Sequence, residues 1–548
     1  MQVSDLFRFR SAEIKALHLT WIAFFMSFYV WFNMAPLASS MLATVDWLTR
    51  DDIRLFAIAN VALTIPARII VGMALDRFGP RRVFSILMVL MALPTFVFAF
   101  GDTREVMFVS RLVMSSIGAA FVVTIHMTAL WFPPRSIGFA EGFAAGWGNF
   151  GSAAAAMTLP MIALHLYGGD DGWRWAIATS GLVLASYGVF YWFAITDGPN
   201  KDTHKKPRKA SALEVSSWSD LVLLCIFIVP MIGILSILVY RVQMMGYIDA
   251  MTAAFCYFAI AVVVIWQIAQ AIRLNVPILK KGVPEDDKYP FKSVVALNIT
   301  YFANFGAELA VVSMLPLFFM ETWSLSAVAA GLVASSFAFV NLFARPMGGL
   351  VSDRYGNRRF VMMAYMFGIG VGFVMMGLLD STWPLIIAIA ITIACSFFVQ
   401  GAEGATFGIV PSIKRRVTGQ ISGMAGAYGN VGAVFYLFIF MYVDVSTFFF
   451  IIAAGAFFSW VVCWRWLKEP EGGFGEEYAL SSVDHDIARE AQEKKQAEAE
   501  LALIFVGSEK VELAERGDGL QLTARYRSMD ELRLALARLQ ADTSGRTK

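Results

Sequence analysis

The sequence predicts an all-α polytopic membrane protein made of two repeated six-helix bundles. Three observations predict it. Of 548 residues, 58% are hydrophobic and 16% charged, with a mean hydropathy of +0.63, a balance that excludes a soluble chain of this length. The apolar residues gather into fourteen runs of about twenty, each able to cross a bilayer core as a helix. An internal repeat sets one arginine inside a matching run of each half.

The runs follow in order. Six lie near Leu17–Leu42, Ile53–Leu75, Val83–Phe100, Val106–Phe132, Ile137–Tyr167 and Trp173–Thr196. Two more lie near Leu221–Tyr240 and Met251–Ile272. The last six lie near Val294–Met320, Leu325–Val351, Phe360–Leu379, Trp383–Val410, Val417–Tyr442 and Thr447–Trp466. The polar start through Lys15 leads into a run too long for the core of a signal peptide, so no cleavable leader is expected.

Basic residues set the orientation. Arg8, Arg10 and Lys15; Arg77, Arg81 and Arg82; Arg135; Lys201, Lys205 and Lys206; Arg273, Lys280 and Lys281; Arg354, Arg358 and Arg359; and Lys414, Arg415 and Arg416 all fall on one face. By the positive-inside rule that face is cytoplasmic, and both termini lie on it. The totals, 44 basic against 42 acidic residues, give no sign of a nucleic-acid partner. Cys225, Cys256, Cys395 and Cys463 sit within apolar runs at spacings that match neither a disulfide framework nor a metal site, so no cofactor is expected.

The two sets of six are copies. Thr20, Ala23, Phe25, Met34, Pro36 and Leu37 match Thr300, Ala303, Phe305, Met314, Pro316 and Leu317 at an offset of 280. Gly138, Gly142, Gly148, Asn149 and Gly151 match Gly419, Gly423, Gly429, Asn430 and Gly432 at 281. The segments ARIIVGMALDRFGPRR and ARPMGGLVSDRYGNRR match at 277. The pair of runs between residues 221 and 272 has no partner and reads as an inserted hairpin. The organisation expected is an N-terminal bundle (1–196), a linker with the inserted hairpin (197–288), a C-terminal bundle (289–467) and a cytoplasmic extension (468–548).

Arg68 and Arg345 each lie eight residues before an aspartate, Asp76 or Asp353, which puts them roughly 12 Å along a helix from their Asp–Arg loops and deep in the bilayer. A charge at that depth is costly and marks function. Two in corresponding places of a repeat point to one central anion site. Guanidinium stays protonated and offers a flat fork of donors suited to a planar oxyanion. The structural alternative is that each braces a helix through backbone carbonyls or a carboxylate. Neither span holds an acidic residue one turn away. Asp76, Arg77, Asp353 and Arg354 read as gating and inter-helix ion-pair residues at the rim.

The Asp-Arg-x-Gly-x-Arg-Arg loops at Asp76–Arg82 and Asp353–Arg359 resemble those of the major facilitator superfamily. Within it, GFAEGFAAGWGNFGSA and GQISGMAGAYGNVGAV are similar to the paired signature of the nitrate/nitrite porter family. The phrases WFNMAPLA, NVALTIPAR, GWGNFGSA, NFGAELAVVSMLP and KRRVTGQISG resemble most closely the cyanobacterial-type permeases. The resemblance runs from Leu17 to Leu467. It implies a major facilitator fold in the cell inner membrane, with nitrate and nitrite as substrates and the signature helices lining their path.

On that basis Asn149 and Asn430 are expected anion contacts, the other reading being amides that only pack. The glycines around them recur at the three- and four-residue spacing of close helix packing. In the family, aromatics sandwich the anion and a tyrosine hydroxyl can bond it; Tyr301, Phe305 and Phe121 are the candidates. Tyr301 and Phe305, four residues apart, share a helix face. Moving an anion inward against the membrane potential costs about 2.3 kcal/mol per charge per 100 mV. Uptake so driven needs two or more protons or other cations, whereas exchange for an internal anion does not. Glu308, Glu403 and His126 are candidate proton carriers within the spans, with Glu141 nearer the cytoplasmic end of its helix. Proton-coupled symport is the expectation. Nitrate/nitrite antiport, transport of another small anion, an anion channel and a nitrate sensor are the rivals.

After Trp466 the chain turns charged. A polar helix from Asp484 to about Leu503, strands at ALIFVG, KVELAE and LQLTARY, a turn at Gly517–Gly519 and a helix over Asp530–Leu539 are expected. The extension is either a folded unit for a regulatory partner or an appendage with too few apolar residues to fold.

Overall fold

The computed structural model describes residues 3–132, 134–198, 212–414, 417–469, 508–516 and 519–526. The first six predicted spans become α1 (Ala12–Trp31) with α2 (Ala38–Thr44), α3 (Arg50–Ala62) with α4 (Thr64–Phe78), α5 (Pro80–Ala99), α6 (Arg104–Met114) with α7 (Ala120–Trp131), α8 (Pro134–Met161) and α9 (Gly172–Ala194). The hairpin is α10 (Trp218–Gly233), α11 (Leu235–Met244) and α12 (Ala250–Lys281). The last six are α13 (Phe291–Trp323), α14 (Ala327–Phe339) with α15 (Asn341–Tyr355), α16 (Arg358–Gly377), α17 (Leu385–Ile413), α18 (Thr418–Phe440) and α19 (Val445–Trp466). Thirteen helical segments are long and apolar enough to cross a membrane, among the described residues. The segment carrying Arg68, divided at Leu63 into helices of 13 and 15 residues as its counterpart is at Val340, is not among them.

Local chemistry places the helix starts. Thr49 and Asp52 form a reciprocal capping box at α3, and Ser217, Asp249, Ser326, Asn357 and Asp444 accept backbone N–H bonds at the starts of α10, α12, α14, α16 and α19. The repeat shows in longer-range caps too. Asp197, beyond α9, accepts from the Arg81 backbone N–H at 2.7 Å, and Glu469, beyond α19, accepts from those of Arg358 and Arg359 at 3.0 and 2.8 Å. Each carboxylate holds the start of the helix after an Asp–Arg loop, where the helix dipole favours negative charge.

The signature glycines set the tightest crossings. A methyl on Gly148 would strike the Phe24 ring and one on Gly151 the Phe25 carbonyl. The matching glycines do the same in the second half: Gly429 faces Phe305 and Tyr301, and Gly432 the Phe302 carbonyl. Here α8 lies on α1 and α18 on α13, backbone close to backbone, as small residues permit.

The hairpin has the predicted form, with its first arm broken at Ile234 after Pro230. Its second arm continues to Lys281, past the expected end, and stops at Gly282 with φ of 84°. Most of α12 faces outward, with Met251, Phe255, Phe258, Ile265 and Trp266 exposed. The hairpin bonds to both halves. Tyr247 donates to Asp52 at 2.8 Å, and Tyr428 of α18 donates to the Phe227 carbonyl at 2.6 Å.

Residues 283–288 belong with the C-terminal region to a second unit. There β1 (Ser508–Arg516) pairs antiparallel with β2 (Gly519–Tyr526), Arg516 opposite Gly519. These are the strands expected at KVELAE and LQLTARY. The strand expected at ALIFVG and the two expected helices lie outside the described residues.

Candidate functional site

Both arginines occupy the second turn of a helix that begins inside the span. The interruptions at Leu63 and Val340 are 277 residues apart, the offset of the arginines themselves. Each break frees a carbonyl that a side chain from elsewhere recovers. Trp31 Nε1 donates to the Asn60 carbonyl at 2.5 Å, while Gln400 Nε2, at 2.9 Å, and Ser396 Oγ donate to that of Phe337. Asn60 and Phe337 are again 277 apart. The breaks are thus built into the fold, and each starts a short helix one turn before an arginine.

Arg68 and Arg345 are buried, 5% and 1% exposed. Phe121 borders both: its ring centre is 5.1 Å from the Arg68 guanidinium carbon and 5.9 Å from that of Arg345. The two carbons are therefore within about 11 Å of each other. Phe305, stacked on Tyr301 at 5.1 Å, is 5.9 Å from Arg345. Arg345 Nη1 is ion-paired to Glu403 Oε2 at 2.6 Å, and its Nη2 donates to the Tyr301 hydroxyl at 3.0 Å. The carboxylate partner absent from Arg345's own span thus comes from α17.

Arg68 differs. Nε, Nη1 and Nη2 are all buried and none meets a hydrogen-bond acceptor among the described residues. Nη1 lies against Gly426 of α18, where an added methyl would come within 2.6 Å of it. A third buried arginine, Arg111, shows what bracing looks like. It donates to the Trp31 carbonyl and to Asn33 Oδ1, both at 2.8 Å, and lies 5.3 Å from the Phe98 ring. Arg111 stabilises the end of α1; Arg68 stabilises no backbone. Sequence reasoning passed over Arg111, although an arginine inside an apolar run was signal enough.

Glu308 receives Asn341 Nδ2 at 2.6 Å and Asn149 Nδ2 at 3.5 Å. It is near enough to Arg345 and Glu403 to act on both electrostatically. Among the described residues Asn149 Oδ1 is without a partner, as is Asn430 Oδ1, while Asn430 Nδ2 donates to the Gly426 carbonyl at 3.1 Å. Each signature asparagine therefore keeps a buried carbonyl oxygen unused. His126 is on α7 next to Ile125, which with Glu141, Gly142, Gly349 and Phe407 lines a small cavity on the Asp–Arg loop side of Arg345. Arg77 and Arg354 are exposed at the helix ends, and the side chains of Asp76 and Asp353 lie outside the described ones.

A two-half helical protein with a buried cationic pocket between its halves is a multi-pass membrane transporter in form. The chain belongs to the Major Facilitator Superfamily, which it matches over residues 20–274 and 297–507. It is 40% identical over 507 residues to the nitrate/nitrite transporter NrtP of Picosynechococcus, covering 85% of this chain and 95% of that one. The NrtP of Nostoc punctiforme is also 40% identical, over 87% of this chain and 96% of its own. A high-affinity nitrate transporter of Arabidopsis thaliana is 29% identical over 79% of this chain and 75% of its own. In fold it matches the xylose transporter XylE of E. coli with a TM-score of 0.58 at 14% identity, over 84% of this chain and 99% of that one. These relatives are transporters, not enzymes.

Proposed function

We propose that the chain carries nitrate and nitrite across the inner membrane by alternating access, holding the anion between Arg68 and Arg345. The observation that carries this reading is the Arg68 guanidinium, buried with every donor unspent. A buried charge without partners is destabilising, and a planar anion is the partner that a flat fork of donors fits. Phe121 and Phe305 wall the pocket, the Tyr301 hydroxyl is a further donor, and Asn149 and Asn430 contact the anion when their Nδ2 groups leave Glu308 and the Gly426 carbonyl. Asp76, Arg77, Asp353 and Arg354 act at the cytoplasmic rim, and the segment from Arg50 to Phe78 is a fourteenth span.

Charge matching supports proton-coupled uptake. Two arginines share the pocket with Glu308 and Glu403, so with both carboxyls ionised the site is neutral. One proton on either leaves a single positive charge, matched to one monovalent anion. Anion and proton then cross together without net charge, driven by the pH gradient, and a second proton is needed only for uptake to draw on the potential. Exchange of nitrate for nitrite is the second reading: Glu403 is held by Arg345 and Glu308 by two asparagines, and if neither takes a proton only a loaded pocket returns. Vesicles containing the protein should take up labelled nitrate when an inward pH gradient is imposed without internal nitrite. Uptake that ignores pH gradient and potential but requires internal nitrite would establish exchange. Arg68→Lys and Arg345→Lys should each weaken nitrate binding at least tenfold, about 1.4 kcal/mol; unchanged affinity would sink the pocket.

A further inference from the structure

At the opposite face from the Asp–Arg loops, a second cleft opens between the halves. It is lined by Arg50, Arg54 and Ala57 of α3, Ser313 and Glu321 of α13 and Phe440 of α18, among others. Its chemistry repeats that of the central pocket. Arg54 lies 4.8 Å from the centre of the Phe440 ring, as Arg68 lies 5.1 Å from that of Phe121. Arg50 is paired to Glu321 at 2.7 Å, as Arg345 is to Glu403 at 2.6 Å. Each place thus holds one guanidinium laid on a phenylalanine and one clasped by a glutamate of another helix, which in the outer cleft belongs to the other half.

The two places also lie on one line. Positions 50, 54, 57, 61, 64 and 68 recur every three or four residues, so Arg50, Arg54, Ala57, Val61, Thr64 and Arg68 share a face of the α3–α4 span. That face looks at α18. Arg54 meets Phe440 and Arg68 meets Gly426, and both pairs of positions are fourteen residues apart, as two antiparallel helices in register require. The separation is about 21 Å along the helix. Unlike Arg68, the outer arginines reach solvent: the Arg50 side chain is 64% exposed and its Glu321 partner 37%. Among the described residues Arg54 has only Asp51 as an ionic partner, at 3.7 Å.

We propose that this outer cleft is a second binding site for the transported class of ligand, a small planar oxyanion. It captures the anion at the mouth before the anion reaches Arg68. The arriving anion displaces Glu321 from Arg50, which loosens the one ion pair joining α3 to α13 among the described residues. The inference rests on the proposed function, since it takes its ligand from there. The cationic mouth concentrates the anion by its field, an effect that salt screens.

The test is labelled nitrate uptake from that face, with Arg54→Gln and Glu321→Gln beside the wild type and Arg68→Lys. Arg54→Gln should raise KM roughly fivefold with the maximal rate kept, and should flatten the dependence of KM on ionic strength. Glu321→Gln, which leaves Arg50 unclasped, should lower KM; opposite shifts from two variants of one cleft exclude a shared folding defect. Transport started from the Asp–Arg loop side should keep its wild-type KM in both. If wild type and Arg68→Lys already fail to differ, the central reading falls. If they differ while both cleft variants keep the wild-type KM, or lose maximal rate alone, the outer site falls and the central one stands.

Discussion

Arg68 and Arg345 arise from one ancestral pattern, yet their surroundings have diverged. Arg345 is embedded in contacts, with Glu403 at 2.6 Å and the Tyr301 hydroxyl at 3.0 Å, whereas Arg68 has only the face of Phe121 and the open side of Gly426. The difference separates two jobs. On the proposed reading the C-terminal half holds a pre-formed wall that keeps its charge with or without substrate, and the N-terminal half presents a guanidinium whose donors wait for one. A pocket with two bare arginines would repel itself when empty; a pocket with two clasped ones would have little to offer an anion.

The comparison can be broken by substitution, and the largest effect falls on the clasped side. Arg345→Ala strands the buried Glu403 carboxylate and should cost about 3–5 kcal/mol of stability as well as abolishing binding. The equivalent Arg68→Ala should abolish nitrate binding while leaving the melting temperature without ligand unchanged or higher, because it removes a charge that bonds nothing. Thermal unfolding with and without nitrate distinguishes them, and equal losses of stability would erase the proposed division of labour. Arg111→Leu comes next. It leaves the buried Asn33 Oδ1 without its donor and the Trp31 carbonyl with only that of Asn60, and should cost about 1–3 kcal/mol, read by denaturant unfolding, with the nitrate KM unchanged.

Tyr301→Phe, which removes an acceptor of Arg345 and a hydroxyl donor to the anion, should weaken nitrate binding by about 1.5 kcal/mol, roughly tenfold, by isothermal titration. Asp444→Ala should have the smallest effect. The Thr447 hydroxyl and backbone N–H hold the Asp444 carboxyl below the usual carboxylate range. Its contribution is therefore present above that range and lost as pH falls through the lowered value. Acid unfolding curves of the variant and wild type should converge below that pH and separate slightly above it.

Much of the scaffold was legible in the sequence because it is written locally. Runs of apolar residues mark helices, and near-equal offsets of glycines and arginines mark the two halves. The burial of both arginines followed from helical rise alone. Their unequal partners did not, because Glu403 is 58 residues from Arg345 in sequence and Asn149 is 159 from Glu308. Scanning within a single span cannot find a carboxylate donated by another helix. The breaks at Leu63 and Val340 were hidden for a similar reason: the groups that satisfy them, Trp31, Ser396 and Gln400, lie on other spans. Likewise Asp197 and Glu469 gave no sign of capping α5 and α16, since each acts more than a hundred residues from its place in the chain.

The inserted hairpin is tied by Tyr247 to Asp52 in the first half and by Tyr428 to the Phe227 carbonyl in the second. Any swing that parts those two anchor points must snap one tether or bend the arm at its Ile234 joint. If the halves move as the proposed function requires, an appendage that looks like cargo on the outside of the molecule is a spring across their seam, and shortening either arm would set how far the seam can open.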